Sequence, residues 1–299
     1  MSVLRKINTK LAATTGYQLR RVPVPRPANS AAPGKAAPRT PRVPRPPAGE
    51  PRPPADPAVD RLLVKPVFIL ASVRSGSTLL RMMLNGHPQL HSPHELHITD
   101  LEVNFKAGPA QKSFEALGLR CYELEGMLWD RAMHRELVKS GKSFLVEKTP
   151  GNLFDWQRIA ACWPDARYIF LRRHPASVAQ SWHEAHPTYT QEQTAARVLR
   201  YMDALEAAHA ELGGHVLRYE DLIADPAGEL RRVCAFLELD WEPAMLEYGD
   251  TLGETVLGGG FGDWNDKIRT GEVQPGRPLP AADEIPAVLR PTCKAWGYE

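Results

Sequence analysis

Residues 72–78 are the first side chains in the sequence that could bind or activate a ligand. They read Ser-Val-Arg-Ser-Gly-Ser-Thr and stand between an apolar run at 67–73 and a segment of helical character. A turn of small residues at a helix N-terminus presents backbone N–H groups and the positive end of the helix dipole, and both attract phosphate. Gly76 permits close approach of the backbone and Arg74 adds a fixed charge. The hydroxyl donors are those of Ser75, Ser77 and Thr78.

A second pattern with phosphate-binding character lies about a hundred residues later. A strand-like run ends at Arg173, Pro175 begins a helix, and Ser181 lies about two turns along that helix. An arginine can hold a phosphate through two hydrogen bonds, and the serine hydroxyl can supply a third. Taken separately, each pattern has a structural alternative: a hydroxyl-capped strand–turn–helix joint for the first, and a surface salt bridge with a solvent-facing serine for the second.

The segment 87–97 is rich in potential metal ligands, with four histidines and one glutamate in eleven residues. The spacing is not the HExxH of helical zinc sites, two prolines interrupt any helix that would align the side chains, and no cysteine lies among them. We therefore expect no metal site here.

The elements that must position these residues follow from an alternating pattern along residues 67–237. Continuous β-rich runs at 67–73 and 167–172 are typical of strands buried on both faces, and shorter candidates lie at 144–146 and 216–219. Helical segments are predicted at 78–84, 153–163, 176–184, 190–212 and 226–237. Strands that alternate with helices indicate a mainly parallel sheet covered on both faces. We expect a P-loop-like, three-layer α/β fold.

The N-terminal residues differ from the rest of the chain in charge and composition. Residues 1–60 hold 11 Lys/Arg against 3 Asp/Glu, whereas the remaining 239 residues hold 26 against 32. Because repeated Pro, Ala and Arg leave few large apolar side chains to bury, we predict a disordered tail at 1–59 and one folded domain at 60–299. The body is not basic, which argues against a nucleic-acid partner. The tail could contact an anionic membrane surface peripherally.

Three further features bear on the compartment. The four cysteines are far apart and form no CxxC pair, which favours free thiols in a reducing compartment. No run approaches the roughly 20 apolar residues of a membrane span, and the first 21 residues lack the apolar core of a signal peptide. We expect a cytoplasmic protein, with an oligomeric state that the sequence leaves open.

Together the two phosphate-binding patterns resemble those of the PAPS-dependent sulfotransferases, where PAPS is 3′-phosphoadenylyl sulfate. Arg74–Leu79 (RSGSTL) looks like the 5′-phosphosulfate loop of that family, and residues 173–181 match in full the pattern R-x-P-x-x-V-x-x-S of its 3′-phosphate site. The two occur in family order, and the resemblance covers residues 65–270. Arginine at position 74 is similar to the tyrosylprotein and bacterial branches. The resemblance implies transfer of a sulfuryl group from PAPS to an acceptor hydroxyl.

The resemblance also implies a catalytic base. In the tyrosylprotein branch a carboxylate after the first helix takes this role, and Glu95 stands at the matching place. Because the acceptor hydroxyl must lose its proton as its oxygen attacks sulfur, a carboxylate in a partly enclosed cleft suits the reaction. His94 and His97 are alternative bases, since imidazole titrates near neutrality.

Other residues take their implied roles from the nucleotide. Lys148, in a Glu-Lys-Thr-Pro element like that of carbohydrate-type and bacterial sulfotransferases, would neutralise charge on the leaving nucleotide, and Glu147 is another alternative base. Tyr219 is the candidate to pack on adenine. Lys267, in a glycine-rich stretch similar to the family's late nucleotide loop, is a candidate phosphate ligand, although Asp266 departs from that loop's basic character.

The expected reaction is a single in-line displacement that requires no metal, because lysine and backbone donors can carry the leaving-group charge. Two alternatives stay open: a P-loop nucleotide kinase, which the missing GxxxxGK[ST] disfavours, and a non-catalytic nucleotide-binding or scaffold protein. The acceptor could be a carbohydrate or glycan, another small metabolite, or a peptide. Five aromatic residues are predicted to shape its pocket: Phe105, Phe114, Trp129, Trp182 and Tyr189.

Overall fold

The computed structural model describes residue 54, residues 56–248 and residues 273–298 of the chain. Its strands are β1 (Val67–Ala71), β2 (Leu90–His91), β3 (Phe144–Glu147), β4 (Arg167–Arg172) and β5 (His215–Arg218). Its helices are α1 (Pro57–Asp60), α2 (Ser77–Asn85), α3 (Gly108–Ala116), α4 (Cys121–Ser140), α5 (Trp156–Cys162), α6 (Pro175–Ala185), α7 (Gln191–Leu212), α8 (Tyr219–Ala224), α9 (Pro226–Phe236) and α10 (Arg290–Ala295). Short 3₁₀ turns lie at 98–100, 150–154, 243–246 and 287–289.

The described strands form one parallel sheet in the order β2-β3-β1-β4-β5. Every residue of β1 is buried, and its side chains divide between two hydrophobic clusters. Phe68 and Leu70 face a cluster that includes α4, α5, α6 and α7. Val67, Ile69 and Ala71 face a cluster that includes α2 and α9. Because successive side chains of a strand point to opposite faces, apolar residues at every position require cover on both faces. The predicted three-layer α/β fold is confirmed.

The helix starts follow local capping chemistry. Pro175 and Pro226 occupy the first positions of α6 and α9, where a missing N–H costs nothing. The Asp225 side chain accepts from the backbone N–H of Gly228 at 2.9 Å, and Thr190 caps α7 in a reciprocal bond with Gln193. These signals explain why the predicted boundaries of α6, α7 and α9 lie within two residues of the observed ones.

The structure adds elements between β1 and β3 that the sequence pattern does not reveal. The two-residue β2 lies within the histidine-rich segment. The helices α3 and α4 contain Phe114 and Trp129, which were predicted only to shape an acceptor pocket. The predicted helix at 153–163 is shorter, because Pro150 begins a 3₁₀ turn and α5 starts at Trp156. A two-residue strand is too short to produce a period-2 pattern.

Three other expectations have partial outcomes. The four cysteines, all within the described residues, are present as thiols. None of the described helices combines the length and the apolar character needed to cross a bilayer. Almost all of the predicted 1–59 tail lies outside the described residues, so its disorder and the boundary at residue 60 stay predictions.

Candidate functional site

Residues that follow the strands collect at one edge of the sheet. Residues 72–76 follow β1, Glu95 comes after β2, Lys148 follows β3, Arg173 follows β4 and Tyr219 follows β5. Because the strands are parallel, their carboxyl ends meet at this edge. From the central β1 the chain passes first to β2 and β3 on one side and then to β4 and β5 on the other. This change of direction leaves a crevice at the carboxyl ends of the strands. The fold therefore brings together side chains from residues 72 to 219 of the sequence.

The turn after β1 depends on a left-handed glycine and an internal hydroxyl bond. Gly76 has a φ of +88° and precedes α2 directly. The Ser75 hydroxyl is buried and donates to the Ser72 carbonyl at 2.7 Å, so the structure uses it inside the turn. Ser77 and Thr78 begin α2, at the positive end of its dipole. The turn thus offers backbone N–H groups, with fewer hydroxyls than the sequence suggested.

Two of the residues predicted to bind the nucleotide are not seen to place a side chain in the crevice. The Leu79 side chain packs against the hydrophobic cluster that includes α2, so its contribution to a ligand site is limited to its backbone N–H. Lys267 lies outside the described residues.

Arg74 joins the two predicted phosphate-binding patterns. Its Nε donates to the Oγ of Ser181 on α6 at 3.1 Å. The patterns are about a hundred residues apart in sequence but in direct contact in the structure. A single ligand with two anionic groups could therefore touch both.

The Arg173 guanidinium lies at the centre of this contact. Its Nη1 donates to the Arg74 carbonyl at 2.8 Å, and its Nε is buried with no hydrogen-bond partner in the described part of the chain. No carboxylate of the described residues forms an ion pair with Arg173. Burial lowers its pKa, but a guanidinium remains charged near neutrality. A half-buried cation with an unused donor is suited to bind an anion.

Tyr219 fills the space between the turn and this arginine. The β4–β5 register pairs the last residues of both strands, so Arg173 and Tyr219 follow side by side. A Cβ added at Gly76 would lie 2.3 Å from Cδ2 of Tyr219, so the ring occupies the volume that a side chain would need. The ring packs on the turn and on Arg173, and its contact with adenine stays a prediction.

Lys148 and Glu95 form an ion pair at the other end of the crevice. The Lys148 side chain is 2% exposed and that of Glu95 is 13% exposed, so the carboxylate is the more solvent-accessible member of the pair. The Lys148 Nζ also donates to Oγ1 of Thr78 at 3.3 Å. Burial lowers the pKa of Lys148, and the Glu95 carboxylate partly offsets that shift. Lys148 thus lies between the helix start and the candidate base.

Glu147, the alternative base, is enclosed by donors. Its carboxylate accepts from the Thr149 hydroxyl at 2.7 Å, from the backbone N–H of Leu96 at 3.3 Å and from the Asn152 amide. Burial raises the pKa of Glu147. These bonds tie the end of β3 to the residue after Glu95, so Glu147 positions the segment that carries the candidate base.

Arg81 is a site residue that the sequence analysis missed. It is buried on α2, and its Nη1 donates to the carbonyls of Ser92 and Pro93 at 2.9 and 2.8 Å. Burial lowers its pKa to about 10, and the nearby carboxylates of Glu95 and Glu147 oppose that shift. A charged residue inside the apolar helix segment Leu-Leu-Arg-Met-Met was the signal that could have identified it.

The histidines are dispersed. The Nδ1 of His94 contacts the backbone carbonyl of Glu95 at 2.9 Å, and Nε2 of His97 lies 3.4 Å from Oε2 of Glu95. His87 hydrogen-bonds backbone groups on both ring nitrogens. In the described ranges, no three His, Cys, Asp or Glu side chains are grouped to hold a metal. Of the alternative bases, His97 contacts the Glu95 carboxylate and is 43% exposed.

Tyr201, on α7, is 7% exposed and lies near Glu95. Burial raises the pKa of Tyr201, and Arg197 and Glu95 are both close enough to act on it. The Tyr201 ring lies 4.6 Å from that of Phe154, measured between centroids. Neither Tyr201 nor Phe154 was singled out from the sequence, because a tyrosine in an amphipathic helix carries no distinguishing pattern.

The predicted acceptor aromatics fall into different places. Trp129 is buried in the core, with its indole N–H on the Leu101 carbonyl at 3.3 Å. Trp182 stacks on His186 with ring centroids 4.1 Å apart, one residue after Ser181. Phe105 and Phe114 pack on each other beside the exposed α3. Tyr189 is exposed.

Chemically, the crevice could bind an anion at one end and accept a proton at the other. The turn after β1, Arg173 and Ser181 form the first, and Glu95 forms the second. The buried Lys148 lies between them and can stabilise negative charge that develops there. This arrangement suits transfer of an electrophilic group from an anionic donor to a hydroxyl.

Comparison with known proteins supports the same interpretation. A family model described as "Sulfotransferase family" matches residues 66–243. The chain is similar to protein-tyrosine sulfotransferase 1 of Danio rerio, with 26% identity over 63% of this chain and 57% of that protein. It is also similar to the nodulation protein NoeE of Sinorhizobium fredii, with 29% identity over 66% of this chain and 55% of that protein. The chain therefore spans about half the length of these curated relatives.

Solved structures share the fold. The sulfotransferase domain of the curacin biosynthetic pathway superposes with a TM-score of 0.57 at 24% identity, over 80% of this chain and 99% of that one. The sulfotransferase domain of the Synechococcus PCC 7002 olefin synthase gives a TM-score of 0.55 at 26% identity, over 80% and 96%. The family match covers more than half of the chain and includes every described strand and the crevice at their carboxyl ends, so the chain belongs to the sulfotransferase family.

Proposed function

We propose that this sulfotransferase takes the sulfuryl group from PAPS and transfers it to a hydroxyl group of an acceptor. The observation that carries the choice of donor is Arg173, a half-buried cation with a buried, unused Nε. It lies in contact with the turn after β1 through the Arg74 carbonyl. PAPS has anionic groups on both the 5′ and the 3′ side of its ribose, which matches two adjoining anion sites.

The donor would bind across both sites. Backbone N–H groups at the start of α2 and Arg74 suit the 5′-phosphosulfate. Arg173 and the Ser181 hydroxyl suit the 3′-phosphate. The direct hydrogen bond from Arg74 to Ser181 explains why the two anion sites adjoin. Tyr219, between Gly76 and Arg173, is the candidate contact for the adenine ring.

The transfer step would use the Lys148–Glu95 pair. Lys148 pairs with Glu95 in the structure. A bound phosphosulfate would compete for the lysine and so release the carboxylate to act as a base. The acceptor oxygen attacks sulfur, the S–O bond to the nucleotide phosphate breaks, and the acceptor proton passes to Glu95. Lys148 would stabilise the charge that collects on the departing phosphate oxygen. The enclosure of Glu147 by three donors favours Glu95 over Glu147 as base.

The acceptor site we propose lies beside Glu95, toward Phe154. Phe154 is 42% exposed and packs on the buried Tyr201, and the exposed His97 lies 3.4 Å from the Glu95 carboxylate. Aromatic faces suit sugars, phenols and the side chain of tyrosine equally well. The acceptor class is therefore a hydroxyl compound, small or peptidic, that can stack on a ring.

The test combines binding with transfer. Titration calorimetry should show tighter binding of adenosine 3′,5′-bisphosphate than of adenosine 5′-monophosphate, and labelled PAPS should transfer its sulfuryl group to at least one member of a panel of sugars, phenols and tyrosine peptides. Equal affinity for the two nucleotides would refute the donor. Magnesium-dependent turnover of ATP would indicate a kinase, and selective binding without transfer to any acceptor would indicate a binding module.

A further inference from the structure

Tyr298 contacts the back of the proposed 3′-phosphate site from a segment that no motif identified. Its hydroxyl donates to Oε2 of Glu220 at 2.7 Å, and its ring lies against His174, with ring centroids 4.8 Å apart. The guanidinium carbon of Arg218 lies 4.1 Å from the centroid of the Tyr298 ring. Residue 298 lies outside the segment 66–243 that the family model matches.

The other oxygen of the Glu220 carboxylate is also occupied. Oε1 accepts from the backbone N–H of His174 at 3.1 Å. Glu220 therefore bridges the residue after Arg173 and the hydroxyl of Tyr298. Burial and the bond to Glu220 raise the pKa of Tyr298, so the hydroxyl stays protonated and acts as a donor.

The alternating side-chain directions at residues 172–174 explain why these contacts leave the Arg173 side chain available to a ligand. Trp296 lies against the Arg172 guanidinium at 5.1 Å, and Tyr298 lies against His174. Residues two apart in an extended chain share a face, and the residue between them points the other way. The side chain of Arg173, which lies between the two contacted residues in sequence, therefore points toward the turn after β1.

Glu220 is the carboxylate most able to block Arg173. It follows Tyr219, whose ring the Arg173 guanidinium covers, and it is close enough to act on the charge of Arg173. A carboxylate that turned toward Arg173 would occupy the donors that a phosphate needs. Both of its oxygens are instead directed to Tyr298 and His174.

We propose that Tyr298 is a positioning residue for donor recognition: its hydroxyl holds Glu220 away from Arg173 and so keeps the 3′-phosphate site open. The inference rests on the proposed donor site. Its effect should be confined to ligands with a 3′-phosphate, because adenosine 5′-monophosphate does not need Arg173.

The test compares the affinity ratio of adenosine 3′,5′-bisphosphate to adenosine 5′-monophosphate by calorimetry on the full chain. Tyr298→Phe keeps the ring contacts with His174 and Arg218 and removes the hydroxyl, which interacts with the Arg218 guanidinium as well as with Glu220. We expect the ratio to fall about fivefold or more, the effect of one charged hydrogen-bond partner. Adding Glu220→Gln should restore the ratio to within about twofold, since a neutral amide does not compete with phosphate for arginine.

Tyr168→Phe is the matched control. The Tyr168 hydroxyl is buried with no hydrogen-bond partner among the described residues, and its loss should leave the ratio unchanged. An unchanged ratio in Tyr298→Phe, or an equal loss in the single and double variants, would overturn the inference. If wild type itself shows no preference for the 3′-phosphate, the proposed donor fails instead.

Discussion

The guanidinium carbon of Arg173 lies 4.4 Å from the centroid of the Tyr219 ring. This stacking holds the arginine at the crevice while its buried Nε has no partner among the described residues. The cost of burying a cation without a counter-ion is recovered when an anion binds, so the pair is preorganised for a phosphate.

Arg173→Ala should therefore reduce affinity for adenosine 3′,5′-bisphosphate by about 10- to 100-fold, the range for a charged hydrogen bond in a partly buried site. Affinity for adenosine 5′-monophosphate should change much less. Calorimetry with both nucleotides measures the difference. Arg135→Ala is a matched control, because Arg135 is exposed and forms a surface ion pair with Glu136 on α4. Equal losses for the two nucleotides would remove Arg173 from the 3′-phosphate site.

Gly76→Ala should disrupt the site through two separate effects. The positive φ costs an alanine about 1–2 kcal/mol of stability, and the new methyl group would displace Tyr219. Gly118→Ala isolates the first effect, because Gly118 has a φ of +76° and no atom within 4 Å of the added carbon. We expect similar losses of stability in urea unfolding, but a loss of nucleotide affinity, about tenfold, only for Gly76→Ala. Equal affinities in the two variants would contradict the steric role of Tyr219.

Glu95→Gln should leave nucleotide binding intact and lower the transfer rate by about 10²- to 10⁴-fold, since an amide cannot accept the proton. The comparison is single-turnover transfer from labelled PAPS against calorimetric affinity. Glu136→Gln, which alters a surface ion pair on α4, serves as control. Full activity in Glu95→Gln would reassign the base to Glu147, His94 or His97.

The activity should fall on the alkaline side because of Lys148. Its protonated form is the active one, and burial lowers its pKa below the usual 10.5, so kcat/KM for the donor should decline as pH rises through a value below 10.5. Lys148→Arg should remove this decline, because arginine stays charged throughout the range. Lys139→Arg, at an exposed surface pair, should retain it. The same alkaline decline in Lys148→Arg would exclude Lys148 as its source.

Arg81→Met should destabilise the segment that carries Glu95. The change leaves the carbonyls of Ser92 and Pro93 without their donor and removes a cation from beside two carboxylates. We expect a loss of about 2–5 kcal/mol in the free energy of unfolding. Arg135→Met, at an exposed pair, should cost less than about 1 kcal/mol. Similar losses in the two variants would show that the buried bonds of Arg81 contribute little.

The sequence by itself determined the layers of the fold, and it predicted the two motifs that are proposed to bind anions. The apolar residues at every position of β1 and the buried run Tyr-Ile-Phe-Leu inside β4 require cover on both faces, and proline and aspartate signals mark the helix starts. These features are local, so they can be read from neighbouring residues. The same holds for Arg173, which directly follows β4, and for Arg74, which lies in the turn between β1 and α2.

Only the tertiary structure decided which polar groups meet. It uses the Ser75 hydroxyl inside a turn, pairs Lys148 with Glu95, encloses Glu147, and brings Tyr298 to Glu220. These contacts join residues up to 78 positions apart, as in the bond from Tyr298 to Glu220. They depend on strand register and on helix packing, which no periodic pattern encodes. The chemistry of the crevice is therefore a property of the folded chain.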